Sequence, residues 1–130
     1  MAPSVSALIV DDQAPFRRAA AAVISATPGF EVVGEADTGE QALELVGSLQ
    51  PALVLMDINM PGISGIEATR RITRERPDIV VVLLSTYGAD DLPADARSCG
   101  AAAYVHKEQF GPGKLQGIWE TRGDAVPHAE

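Results

Sequence analysis

Ala52-Leu53-Val54-Leu55-Met56-Asp57 decides how the chain folds. Its apolar residues follow one another without a polar alternate, and the run ends in a carboxylate. Unbroken runs of this kind suit strands buried on both faces, the pattern of a parallel sheet. Val5–Val10 and Ile79–Leu84 have the same character, and weaker runs fall at Phe30–Gly34 and Ala102–Val105. The more polar Phe30–Gly34 run predicts an edge strand.

Helical spacing fills the intervals. Phe16, Ala20, Val23 and Ile24 form one apolar stripe, closed by Pro28-Gly29. Thr38 caps the next helix, with Gln41 as its capping-box partner and Ala42, Leu45, Val46 and Leu49 as its buried face. Ile63, Ile66 and Ile72 are assigned to a third helix ending before Pro77, and Asp91–Cys99 to a short fourth. Leu115, Ile118 and Trp119 mark a fifth. Five alternations of strand and helix predict an α/β fold with a mainly parallel sheet and right-handed crossovers. Residues 1–122 form the expected domain, and residues 123–130, which lack an apolar pattern, a disordered tail.

Composition narrows the function. The 130 residues are 46% apolar and carry a net charge of −8, against a nucleic-acid interface and against binding to an anionic membrane. No run approaches the ~20 apolar residues of a membrane span. The start Met1-Ala2-Pro3-Ser4 lacks the cationic opening of a secretory signal, and the single Cys99 excludes an intrachain disulfide. The expectation is a cytoplasmic protein. Among ten basic residues only Lys107 and Lys114 are lysine, which makes each lysine conspicuous.

Ligands of an open parallel sheet bind beyond the carboxyl ends of its strands. Asp11 and Asp12 follow the first run, Asp57 the third, Ser85 the fourth and Lys107 the fifth. Carboxylates ~4 Å apart at an effective dielectric of ~20 repel by about 4 kcal/mol per pair, so a cation must compensate. Mg²⁺ suits such oxygen donors, and Lys107 adds a compact positive charge. An Asp carboxylate is a competent nucleophile towards phosphorus. Mg²⁺, an ammonium, a hydroxyl and backbone N–H groups are sufficient to neutralise phosphoryl oxygens. His106 alternates away from Lys107, and His128 lies in the tail, so neither offers a competing nucleophile.

Four ordered blocks carry a resemblance: Leu8-Ile9-Val10-Asp11-Asp12, Leu53 through Asp57 to Asn59-Met60-Pro61-Gly62-Ile63-Ser64-Gly65, Leu84-Ser85-Thr86-Tyr87, and Ala103-Tyr104-Val105-His106-Lys107. From about Val5 to Arg122 the chain resembles response-regulator receiver domains of two-component systems. Lys107 followed by Glu108 is similar to the LuxR/NarL-type subgroup. The resemblance implies a flavodoxin-like (βα)5 doubly wound sheet with strand order 2-1-3-4-5. It implies that Asp57 accepts a phosphoryl group from a histidine kinase. Asp12, Asp57 and the Asn59 carbonyl would bind Mg²⁺, with Asp11 acting through water. Ser85 and Lys107 would hold the phosphoryl oxygens, and Tyr104 would turn inward as a switch with Ser85. The output face would be the fourth helix, fifth strand and fifth helix, used for partner binding or homodimerisation. Thr86 stands where the family usually has a small residue, which predicts slower phosphoryl exchange. The subgroup's helix-turn-helix domain is absent from these 130 residues, so the expectation is a single-domain regulator or the receiver part of a longer product.

Simpler readings compete for these residues. Asp11 and Asp12 also suit helix caps. Arg70, Arg71, Arg74 and Arg76, interleaved with Glu67 and Glu75, read as a solvated helix face. Cys99 and Trp119 read as packing residues. Gly117 inside the last helix predicts a soft output face, firmed by a partner. An Mg²⁺-dependent phosphatase of the Asp-nucleophile type would want a second Asp where Asn59 stands, so the chain is expected to be a switch that catalyses only its own phosphorylation and dephosphorylation. A receiver whose output works unphosphorylated is the remaining alternative.

Overall fold

A computed structural model describes residues 4–86 and 94–125, except the side chains of Arg97 and of residues 122–125. Its elements run β1 (Val5–Val10), α1 (Ala14–Ala26), β2 (Phe30–Ala36), α2 (Gly39–Leu49), β3 (Leu53–Asp57), α3 (Gly65–Glu75), β4 (Val80–Ser85), β5 (Ala103–His106) and α4 (Pro112–Ala125). All strand pairs are parallel, in the order β2-β1-β3-β4-β5. This is the flavodoxin-like order expected, with β2 at an edge. β3 is buried along its whole length, which is why its sequence shows no alternation.

Two cores sandwich the sheet. Leu8, Val10, Val54, Met56, Val81 and Leu83 face α2 and α3, meeting Val46, Ile66 and Ile72. Ala7, Ile9, Leu53, Leu55, Val82 and Leu84 face α1 and α4, meeting Ile24 and Leu115. Trp119 packs on this second side, edge-on to Phe30 with ring centroids 5.9 Å apart. Thr38 caps α2, its hydroxyl accepting from Gln41 N–H at 3.0 Å. The Gln41 side-chain amide oxygen reaches back to accept the Asp37 N–H, one residue ahead of the cap.

Three details depart from the periodicity. Ile63 is not helical: Ser64 caps α3, which begins at Gly65, and Ile63 packs instead against the start of α2 at Gly39. Of the expected fourth helix, residues 91–93 lie outside the described residues, and Ala94–Ser98 form a 3-10 turn rather than an α-helix. That turn is ended by Gly100 at φ +101°, whose neighbour Cys99 offers its carbonyl to the Thr73 hydroxyl at 3.0 Å. Cys99 itself is buried in the first core. The last helix continues through Gly123 to Ala125, past the point where the apolar pattern stops, and residues 126–130 lie outside the described residues.

Candidate phosphoacceptor site

Strand register brings the chemistry-bearing residues to one edge. Val10 pairs with Met56, so Asp11 and Asp57, next along each chain, stand side by side. Asp57 pairs with Leu84, leaving Ser85 one residue further on. Ser85 pairs with His106, and Lys107 follows. Asp11, Asp57 and Ser85 are buried and Asp12 is exposed. Ligand oxygens of Asp11, Asp12 and Asp57 all lie within 4.8 Å of one another.

The turn after β1 is built by Asp11 itself. Its Oδ1 accepts the Gln13 N–H at 2.9 Å. Arg17 of α1 donates to the Asp11 carbonyl at 2.7 Å and pairs with Glu35 of β2 at 3.2 Å. Gln13 is the N-cap of α1 and makes no side-chain cap bond; the Asp11 carboxylate accepts its backbone N–H, so Asp11 serves the start of that helix as well as the acidic cluster. Asp11 Oδ2 is buried and has no partner with hydrogen-bond geometry; the Lys107 ammonium faces it at 2.6 Å. The same ammonium is 3.4 Å from Asp57 Oδ1 and 4.6 Å above the centre of the Phe16 ring. Phe16 lies in the apolar stripe of α1. Its ring face also supplies a favourable quadrupole to the lysine.

Asp57 is held at an unusual proton affinity. Burial pushes its carboxyl up to about 6, and Asp11 adds to the rise, while the charge and hydrogen bond of Lys107 and the Asn59 backbone N–H oppose it. One ammonium is insufficient for this concentration of negative charge. The donor set is wholly oxygen, three carboxylates of which two are buried. A hard divalent cation such as Mg²⁺ fits that chemistry.

The segment after Asp57 is held from two sides. Gly65 N–H donates to the Ile58 carbonyl at 2.9 Å. Glu40, in the first turn of α2, accepts the Ile63 N–H at 3.3 Å, beside Gly62 in the left-handed conformation at φ +81°. This segment carries Asn59. Tyr104 is half-buried on β5, packed against the first core and paired in register with Leu83. The arginines of α3 behave as a solvated face: Arg70 and Arg71 both bond Glu67, and Arg70 lies 3.6 Å from Asp95. These bonds, that of Arg71 foremost, hold Glu67 below the usual carboxylate range. No helix among the described residues is long and apolar enough to cross a membrane.

Comparison with known proteins agrees with this geometry. Residues 7–118 match the response regulator receiver domain family. Response regulator GacA of Pseudomonas aeruginosa is 42% identical over 103 residues, 79% of this chain and 48% of the relative. Transcriptional regulatory protein DegU of Brevibacillus brevis is 34% identical over 114 residues, 88% of this chain and 48% of the relative. The chain thus spans about half the length of these curated relatives. Among solved structures, the signal receiver domain of NarL from Mycobacterium tuberculosis superposes with a TM-score of 0.84 at 26% identity, covering 94% of this chain and 98% of that one. A LuxR-family response regulator from Aurantimonas gives 0.82 at 30% identity, covering 93% and 86%.

Proposed function

The chain belongs to the response regulator receiver domain family, and from that premise we propose that it is a phosphorylation switch that takes a phosphoryl group on Asp57 from the phosphohistidine of a histidine kinase. The observation that supports this most is the pairing of a buried Asp57 with an ammonium 3.4 Å away, inside a cluster of three carboxylates. The Asp57 carboxylate oxygen forms the new bond to phosphorus as the phosphorus–nitrogen bond to the donor imidazole breaks, and the proton balance is completed on that imidazole.

Asp12, Asp57 and the Asn59 carbonyl are the groups to hold Mg²⁺, with Asp11 acting through water. When bound, the cation supplies charge neutralisation for the phosphoryl oxygens. Lys107 and Ser85 take the other oxygens, from the neighbouring exits of β5 and β4. Drawing Ser85 to the phosphoryl group frees space for Tyr104 to turn inward, which changes the surface formed by residues 94–98, β5 and α4. That surface serves a partner or a second copy of the chain. The setting is cytoplasmic, and control of transcription is the output where a DNA-binding portion accompanies the receiver.

Incubation with a small acyl phosphate, with and without Mg²⁺, tests the reading. The intact mass should gain one phosphoryl group only with the metal, and Asp57→Asn should gain none. Equal modification without metal, or none in the wild type, contradicts it.

A further inference from the structure

His106 is the last residue of β5 and is half-buried, and its imidazole makes two bonds that no apolar residue could make. Nδ1 accepts the Glu108 N–H at 3.1 Å, capping the 3-10 turn Lys107–Gln109. Nε2 lies 3.0 Å from the Thr86 carbonyl. A carbonyl only accepts, and a nitrogen that accepts an N–H carries no proton, so the ring is the neutral tautomer protonated at Nε2. The side chain therefore ties the backbone on either side of Lys107 to the residue after Ser85.

We infer that His106 is a positioning residue: it fixes the turn that aims the Lys107 ammonium at Asp11 and Asp57 relative to the strand exit that carries Ser85. The functional half of this inference rests on the phosphoacceptor reading above. The two cationic and hydroxyl groups of the site stand on separate strands, and β5 is a short edge strand held on one side only. Lys107 has a long flexible stem, so its placement depends on where its backbone begins. The imidazole crosses between the two strand exits just beyond their last register pair, Ser85 with His106. Without it, the end of β5 loses a cap for Glu108 N–H and its side-chain tie to Thr86 together.

Two variants separate the two arms. His106→Ala removes both, and His106→Asn keeps an oxygen able to cap Glu108 N–H but is too short to reach Thr86. With only Lys107 and Lys114 in the chain, the side-chain methylene resonances of Lys107 are readily assigned. The ammonium lies over the Phe16 ring, so the adjoining methylene should be ring-shifted upfield of that of the exposed Lys114.

In His106→Ala, measured without any phosphate donor, that shift should collapse towards the Lys114 position. Asp57 modification by a small acyl phosphate with Mg²⁺ should slow about tenfold, a loss typical of misplacing a reacting group. His106→Asn, which keeps the cap and lacks the tie to Thr86, should recover only part of the shift and of the rate. An unchanged Lys107 signature with an undiminished rate in folded His106→Ala overturns the inference and leaves the phosphoacceptor reading intact. Loss of stability in both variants with the Lys107 signature retained also overturns it, assigning His106 a merely structural role. Collapse of the signature in a protein whose wild type takes no phosphoryl group supports the placement of Lys107 by His106 and overturns the phosphoacceptor reading instead.

Discussion

Gly65 approaches the backbone of Asp57 so closely that a Cβ there would lie 1.9 Å from the Asp57 carbonyl oxygen. The obstacle is main chain, which has no rotamer into which to retreat. Gly65→Ala must therefore displace either the start of α3 or the end of β3. We expect a loss of about 2–4 kcal/mol in urea unfolding, in the range of a severe overpacking defect. Because the displacement acts on Asp57, stabilisation by Mg²⁺ should fall with it. A variant as stable and as metal-responsive as the wild type would contradict this.

The raised proton affinity of Asp57 makes a signed prediction about pH. Its carboxyl titrates near 6 in the folded protein, against an ordinary value of 3.8. The folded state therefore binds the proton more tightly than the unfolded chain. The corresponding stability is complete below the ordinary value and is lost as pH rises through 6. Asp57→Asn cannot ionise and escapes the loss. In metal-free buffer the variant should exceed the wild type in stability by about 1–2 kcal/mol at pH 7.5, a figure reduced for solvent at the mouth of the site. The gap should close towards pH 4, and Mg²⁺ should narrow it at neutral pH by favouring the ionised wild type. Denaturant midpoints across this range, with and without metal, measure it.

Phe16→Leu removes the ring face beneath the Lys107 ammonium while keeping an apolar side chain in the second core. The cost should stay near 0.5–1 kcal/mol, the worth of a partly screened cation–π contact. The clearer signal is spectroscopic, since the Lys107 methylene resonances should lose their upfield shift while those of Lys114 stay in place. Persistence of the shift would place the ammonium elsewhere.

Gly117 lies inside α4 with nothing within 4 Å of where a Cβ would stand. Gly117→Ala should add about 0.5–1 kcal/mol by restricting the unfolded chain and improving helix propensity. It should also increase amide protection over residues 113–121. Unchanged protection would mean that the helix is already as firm as the sheet, against the softness expected of the output face.

How much of this was legible beforehand follows from what each feature depends on. Asp11, Asp57 and Ser85 stand one residue past apolar runs and Lys107 two, and a parallel sheet in register brings such positions to one edge. The strand order came from the family resemblance, not from periodicity. Ile63 was misplaced because a helical apolar spacing continues backward through it, whereas the chain breaks the helix at Ser64 and bends at Gly62 so that Gly65 fits beneath Asp57. Glu40, Arg17 and Phe16 gave no signal as site residues, since each touches the site from another element: Glu40 from α2, Arg17 and Phe16 from α1. For His106 the alternation rule predicts only that the ring turns away from Lys107. The rule is silent on what the ring meets there, the Thr86 carbonyl across the strand exit.

An acyl phosphate on a carboxylate is reduced by borohydride to the corresponding alcohol, so a phosphorylated aspartate becomes homoserine. Treating the protein with a small acyl phosphate and Mg²⁺, reducing it and sequencing the peptides reads out the acceptor directly. Homoserine should stand at position 57 alone. Homoserine at 11 or 12, or at no position under conditions that leave the protein folded and metal-loaded, would contradict the assignment.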